Sequence, residues 1–177
     1  MEEPKSPNWC SNRAVITGPS PVIDEIRQML TRDDPELLAW MVPQPVFEGD
    51  QDWYMWRVNS WGTKWDISDV YIDNDQEPDS IEFAFSTAWA PPVEAFHAWA
   101  AGDGRVQFEL QYWEPGCGFV GTTRYDGEYL DVDDVDSNSD PARYREIASD
   151  TWGYEEYDEP EPLTEWYKTG IEAKGLA

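Results

Sequence analysis

The sequence is poor in the residues that most often hold metals or carry catalysis. It has two cysteines, Cys10 and Cys117, and one histidine, His97. Two thiols are too few for a disulfide scaffold or a cysteine-ligated cluster. With a single imidazole beside them, a zinc site of the usual types is not expected either. No metal and no cofactor are expected, and both thiols are expected to be reduced and partly buried. Lysine is also scarce: Lys5, Lys64, Lys168 and Lys174 are the four in the chain. No apolar run reaches the roughly 20 residues that span a bilayer, so no membrane partner is expected. Met1-Glu2-Glu3-Pro4-Lys5 lacks the basic start and apolar core of a signal peptide, and the expected location is the cytoplasm.

What is abundant is negative charge. Asp and Glu number 37 against 12 Lys and Arg, a formal net charge of −25. Such a chain does not hold nucleic acid by its backbone, because phosphate binding needs cations. It can instead compete for the proteins that bind nucleic acid. A solvated coat, as in a halophilic accessory protein, is the alternative, and a halophilic chain would need molar salt to stay folded. The 177 residues also include 11 Trp, 9 Tyr and 6 Phe, enough to fill much of a single core.

Taken in order, residues 1–7 form a leader and Ala14-Val15-Ile16-Thr17 reads as a strand. Ser20 as N-cap and Pro21 at the first helical position open a helix with Val22, Ile26, Met29 and Leu30 on one face. Residues 33–52 are a connection with one helical turn at Glu36–Trp40. Asp52 is suited to cap a short helix bearing Trp53, Trp56 and Arg57 that ends at Gly62, with a strand as the alternative because aromatics favour both. From Asp66 the period becomes two: strands at Ile67–Asp73, Ile81–Ser86 and Val106–Tyr112, each with one wet face. Between the last two, a helix begins at Ala90-Pro91-Pro92, presents Val93, Phe96 and Ala100 inward, and stops at Gly102. Phe119–Tyr125 and Tyr129–Val132 follow around an Asp126-Gly127 turn. Residues 126–161 then hold 14 acids against Arg143 and Arg145. A third helix is expected from Asp140-Pro141 to about Ser149, with an extended, exposed segment at 155–162.

Strand, helix, strand, strand, helix, strand is the split βαβ, ferredoxin-like plan: an α+β fold with an antiparallel sheet and two helices. The expected organisation is a domain over 1–125 with a Trp-rich helical insertion at about 33–65. An acidic C-terminal extension at 126–177 packs on it or trails from it. One sheet face should stay wet or be covered by the insertion.

Four ordered motifs carry a resemblance. Pro7-Asn8-Trp9-Cys10-Ser11-Asn12, Trp61-Gly62-Thr63-Lys64-Trp65-Asp66, Phe85-Ser86-Thr87-Ala88-Trp89-Ala90-Pro91-Pro92 and Tyr112-Trp113-Glu114-Pro115-Gly116, with Phe119 and Gly121 after them, resemble the YubB-type proteins of phages and plasmids. The likeness covers about residues 7–125. It implies a ferredoxin-like fold, without an iron–sulfur cluster, and an origin on a mobile element, where small proteins that disarm host defences are common. It brings no activity with it.

Two sets of residues are candidates for function. Trp61, Thr63, Lys64, Trp65 and Asp66, with Asn8, Trp9, Asn12, Trp89 and Glu114, can form a small-ligand or peptide site with indole walls and a lysine cation. The competing reading is that they pin the insertion to the sheet, with Lys64 lying along Trp. Glu114 and Asp66 are a conceivable acid–base pair, but carboxylates are so abundant that two meet by chance. His97 has no nucleophile context, and Asp131, Asp133, Asp134 and Asp136 lack the glycine and terminal glutamate of an EF-hand. The second set is acidic: Asp73, Asp75, Glu77, Asp79, Asp131, Asp133, Asp134, Asp136, Glu155, Glu156 and Asp158. Carboxylates spaced along strands imitate a phosphate track, and attraction to a basic groove is fast and salt-sensitive. Neighbouring Tyr154 and Tyr157 are suited to anchoring. The expected function is therefore that of an inhibitor, not an enzyme. It would bind a basic nucleic-acid-handling host protein or complex by mimicry, in the manner of anti-CRISPR or anti-restriction proteins.

Overall fold

The computed structural model describes residues 7–49, 52–73 and 77–155. The elements in order are β1 (Trp9–Thr17), α1 (Ser20–Leu30), α2 (Leu37–Met41), α3 (Trp53–Trp61), β2 (Ser68–Ile72), β3 (Ser80–Ala88), α4 (Val93–Asp103), β4 (Gln107–Glu114), β5 (Phe119–Tyr125), β6 (Leu130–Asp136) and α5 (Pro141–Trp152). The six strands form one antiparallel sheet in the order β2-β3-β1-β4-β5-β6. The first four positions are the ferredoxin-like arrangement expected from the alternation. β5 and β6 lengthen it beyond β4.

Each strand sends alternate side chains to the two faces. Cys10, Asn12, Ala14 and Ile16 of β1 point the same way as Ile81, Phe83 and Phe85 of β3 and Phe108, Leu110 and Tyr112 of β4. All ten are buried. α1 covers this face with Val22, Ile26, Met29 and Leu30, as the helical spacing requires, and α4 with Phe96 and Ala100. Phe96 is the centre of the contact. Its ring lies 6.1 Å from Phe85 and 5.5 Å from Phe108, and Phe108 lies 6.0 Å from Tyr125.

The inserted helices α2 and α3 pack against α4 and stay in the helical layer. The opposite face is partly covered by α5, whose Tyr144 meets Val120 and Val135. Tyr144 also accepts a 2.9 Å hydrogen bond from Trp113 Nε1. The acidic region through residue 155 is thus built into the sheet: β6 pairs with β5 along its length and α5 backs both.

Several boundaries differ from the sequence pattern. β1 begins five residues before Ala14, because buried Asn12 interrupts the apolar alternation while its side-chain amide is satisfied internally. Nδ2 donates to the Cys10 carbonyl at 2.9 Å and to Thr87 Oγ1 at 2.8 Å. β6 extends to Asp136, since aspartates on both of its faces hide the period. Ser20 is the first helical residue and Pro19 the cap, with no side-chain cap bond. α4 runs from Val93 and stops at left-handed Gly104, two residues after Gly102. Asp52 and Asp140 cap α3 and α5 as their sequences suggest, accepting from the Met55 and Arg143 amides at 3.0 and 3.1 Å.

The insertion is pinned by the stretch that follows α3. Trp61 is buried and its Nε1 donates to the Val42 carbonyl at 2.9 Å. Thr63 is buried too, and its hydroxyl donates to the Ala88 carbonyl at 2.7 Å, tying the insertion to the end of β3. Asp66 accepts from the Leu38, Ala39 and Ile67 amides, each at 2.9 Å. Burial pushes its carboxyl up from the ordinary aspartate range despite these three donors. Removing the carboxylate strands amide groups at the start of α2. Asp66→Ala is expected to lower the stability by about 1–3 kcal/mol, read as a reduced midpoint in chemical denaturation; an unchanged midpoint would show that Asp66 does not hold α2.

Candidate functional site

Chain topology brings one set of exposed aromatics together. Trp9 starts β1, Trp89 follows β3, and Trp65 leaves the pinned stretch. Because Trp9 pairs with Ala88, these residues share one end of the sheet. The Trp89 amide donates to the Asn8 carbonyl at 2.9 Å, and Trp9 and Trp65 lie 6.3 Å apart. Trp9, Trp65 and Trp89 are 40, 37 and 45% exposed, so none of them is spent on the core. Lys64 Nζ stands 4.7 Å from the Trp65 ring and 5.7 Å from that of Tyr54, close enough for cation–π attraction. Trp89 holds a φ of +73°, a left-handed conformation uncommon for a bulky residue.

The other members of the proposed tryptophan site serve the fold. Trp61, Thr63 and Asp66 make the bonds already described, and Asn12 is enclosed between β1 and β3. Glu114 is 1% exposed. Its carboxylate accepts from the Gly116 amide at 2.9 Å and from the Cys117 amide, closing the turn between β4 and β5. Asp66 and Glu114 therefore bond to different backbone segments. Asn8 sits beside that turn, its Nδ2 3.8 Å from Cys117 Sγ. His97 lies against the Tyr125 ring, 5.3 Å between centroids. Among the described residues no three His, Cys, Asp or Glu are placed to hold a metal ion.

The acids fall into separate groups. Asp73, Glu77 and Asp79 are exposed around the β2–β3 connection, at one edge of the sheet. Asp131, Asp133, Asp134 and Asp136 line β6, the opposite edge. Five strand spacings of about 4.8 Å separate those edges, roughly 24 Å, so the two groups do not make one track. Three of the β6 carboxylates also have internal partners. Asp133 is paired with Arg143 at 2.8 and 2.7 Å. Asp136 accepts from the Asn138 and Ser139 amides at 2.7 and 3.1 Å. Asp134 accepts the Tyr112 hydroxyl. Glu155 is exposed just beyond α5. Asp75, Glu156, Asp158 and Tyr157 lie outside the described residues.

This frame has a match among known families. A family model described as the ferredoxin-like domain in Api92-like protein covers residues 60–155, from the end of α3 through α5. The chain belongs to the Api92-like family. That domain includes β6 and α5, the acidic edge of the sheet. A solved structure, "Crystal structure of a protein api92 from Yersinia pseudotuberculosis", is similar over 74% of this chain and 98% of that chain, with a TM-score of 0.53 and 14% identity. At that identity the likeness is one of fold. A comparison with curated proteins finds no match.

Some surface groups escaped the sequence pattern. Trp53, Tyr54 and Met55 are exposed on the first turns of α3, where helical spacing alone does not say which side meets the core. Tyr112, Gly121 and Asp134 stand side by side on β4, β5 and β6, and only pairing register reveals it.

The thiols have distinct environments. Cys10 is fully buried and pushed up to about 12, by burial first and by the Glu114 charge second. Cys117 is exposed, and its hydrogen bond to Glu114 raises it from the ordinary thiol range. Since the thiolate is the nucleophile, a dithionitrobenzoate titration of folded protein should modify one thiol per chain, slowly at neutral pH and faster in alkaline solution. A second thiol reacting at a similar rate would contradict the enclosure of Cys10.

Proposed function

We propose that the protein is an acidic binding protein of a phage or plasmid that inhibits a host nucleic-acid-handling defence complex by presenting carboxylates in place of phosphates. It acts by occupying a basic groove, not by catalysis, and works in the host cytoplasm. The observation that supports this most is the composition of one edge of the fold. Residues 126–155, which form β6, α5 and their flanks, hold ten Asp and Glu against Arg143 and Arg145. β6 is an edge strand that carries Asp131 and Asp133 on one face and Asp134 and Asp136 on the other, the two of each pair about 6.7 Å apart along the strand. Internal bonds to Asp133, Asp134 and Asp136 hold three of them in place. Ordered acids lose less freedom on docking than a loose tail would.

The resemblance to YubB-type proteins supports the mobile-element origin. The β2–β3 acids, on the far edge, are outside the docking surface in this reading and serve as long-range attraction only. A second reading has its own observation. Exposed Trp9, Trp65 and Trp89 beside Lys64 offer an apolar surface with one cation, suited to a small ligand or a peptide.

Nuclease-treated host lysate, passed over the immobilised protein and eluted in rising salt, tests the first reading. The expected outcome is a nucleic-acid-binding complex released over a narrow salt range. It should be lost from a Glu128→Lys, Asp131→Lys, Glu146→Lys, Asp150→Lys variant and kept by Asp73→Lys, Glu77→Lys, Asp79→Lys. Equal loss from both variants would refute the edge assignment. Retention by both, with loss in Lys64→Ala or Trp65→Ala, would favour the tryptophan surface.

A further inference from the structure

The helical layer is narrower than the sheet. α1 and α4 cover the ferredoxin-like strands; α4 reaches β5 at Tyr125 through His97, and β6 lies beyond it. A cleft of about 490 Å³ opens there, between the start of α4 and the inner face of β4, β5 and β6. That volume is within the roughly 300–1,000 Å³ of small-ligand sites. Its floor is apolar, built from Phe119, Leu130 and Val132 with the Tyr112 ring; Val93 and Pro91 form the wall. Its charged lining residues are Glu94 on α4 and Asp134 on β6, and neither Lys nor Arg lines it.

Register explains the shape. Tyr112, Gly121 and Asp134 stand side by side on β4, β5 and β6. With no side chain on Gly121, the Tyr112 hydroxyl reaches across β5 and donates to Asp134 Oδ1. A Cβ at position 121 would stand 2.5 Å from that oxygen and 2.8 Å from the Tyr112 ring. Burial and the Asp134 bond both push the Tyr112 phenol up, which keeps it protonated and donating. On the other wall, left-handed Gly62, with a φ of +86°, leaves room for the Glu94 carboxylate; a Cβ there would meet Glu94 Oε2 at 2.1 Å. The two glycines thus leave a carboxylate at each rim of an apolar trough.

We infer that this cleft receives an organic cation with an apolar stem, the side chain of an arginine presented by the basic partner. Its methylenes lie over Leu130, Val132 and Phe119, while the guanidinium is flanked by Glu94 and Asp134. Charge complementarity and the absence of a lining cation favour that occupant, and β6, which forms one rim, belongs to the acidic edge. This inference rests on the reading of that edge as the docking surface.

Agmatine, decarboxylated arginine with a guanidinium and an ammonium on a four-carbon stem, is the probe. Methyl NMR of the full chain should show saturable shifts at Val93, Leu130 and Val132. Glu94→Gln should weaken binding about two- to fivefold, the range for one exposed ion pair. Val132→Arg, at a half-exposed position that burdens the core little, should abolish the shifts and lower the salt needed to elute the captured partner. Equal affinity for butylurea, a neutral analogue, would overturn the recognition of a cation, as would shifts that miss these methyls. Agmatine binding with partner retention unchanged by Val132→Arg would overturn the arginine of a partner as occupant and leave the edge intact. Loss of the edge assignment in the lysine-reversal experiment, with agmatine still bound, would overturn the partner but not the cation.

Discussion

The arrangement depends on one short segment, Trp61 to Asp66, which fastens the inserted helices to the sheet. Three different polar groups do this. An indole N–H reaches Val42, a threonine hydroxyl reaches the end of β3, and a carboxylate gathers three amides at α2 and its own strand entry. Each bond is modest alone. Together they fix where α3 ends and where α4 can begin, because Gly62 sits against Pro91 and Glu94. The same segment turns Lys64 and Trp65 outward toward Trp9. The tryptophan end and one wall of the cleft are therefore consequences of a single attachment.

Negative charge is accommodated by distribution. An excess of 25 charges would oppose compaction if gathered at random. Among the described residues several carboxylates sit on the edge strand β6 or cap helices, and several accept backbone amides. Charged edges also keep strands from pairing with other chains. The aspartates of β6 protect this edge, and on the proposed reading the same residues would meet a basic partner.

Much of the fold was legible in the sequence. Period two in Ile81–Phe85 and Val106–Tyr112, helical spacing in Val22–Leu30 and the helix beginning at Ala90-Pro91-Pro92 led to the ferredoxin-like plan. Asn12 hid the first half of β1, since a buried amide looks polar until its partners on β3 are known. The aspartates of β6 likewise concealed a strand that pairs along its length. The candidate site was less legible because it depends on strand order. Residues of one motif, such as Trp61 and Trp65, point to opposite environments, one buried and one exposed. Asp79 and Asp131 look equivalent in composition, yet they stand at opposite edges of the sheet. Tyr112 and Asp134 meet only because Gly121 lies between them, a relation that spacing alone does not announce.

The central claim is that one edge, not the whole coat, meets the partner. Zero-length carbodiimide cross-linking of the captured complex, read by mass spectrometry, tests it most directly, because it joins only carboxylates in contact with lysines. The account predicts cross-links from β6, α5 and their flanks, within residues 126–155, to lysines of the partner's nucleic-acid groove. Cross-links concentrated at Asp73, Glu77 and Asp79, or spread evenly over the molecule, would contradict it.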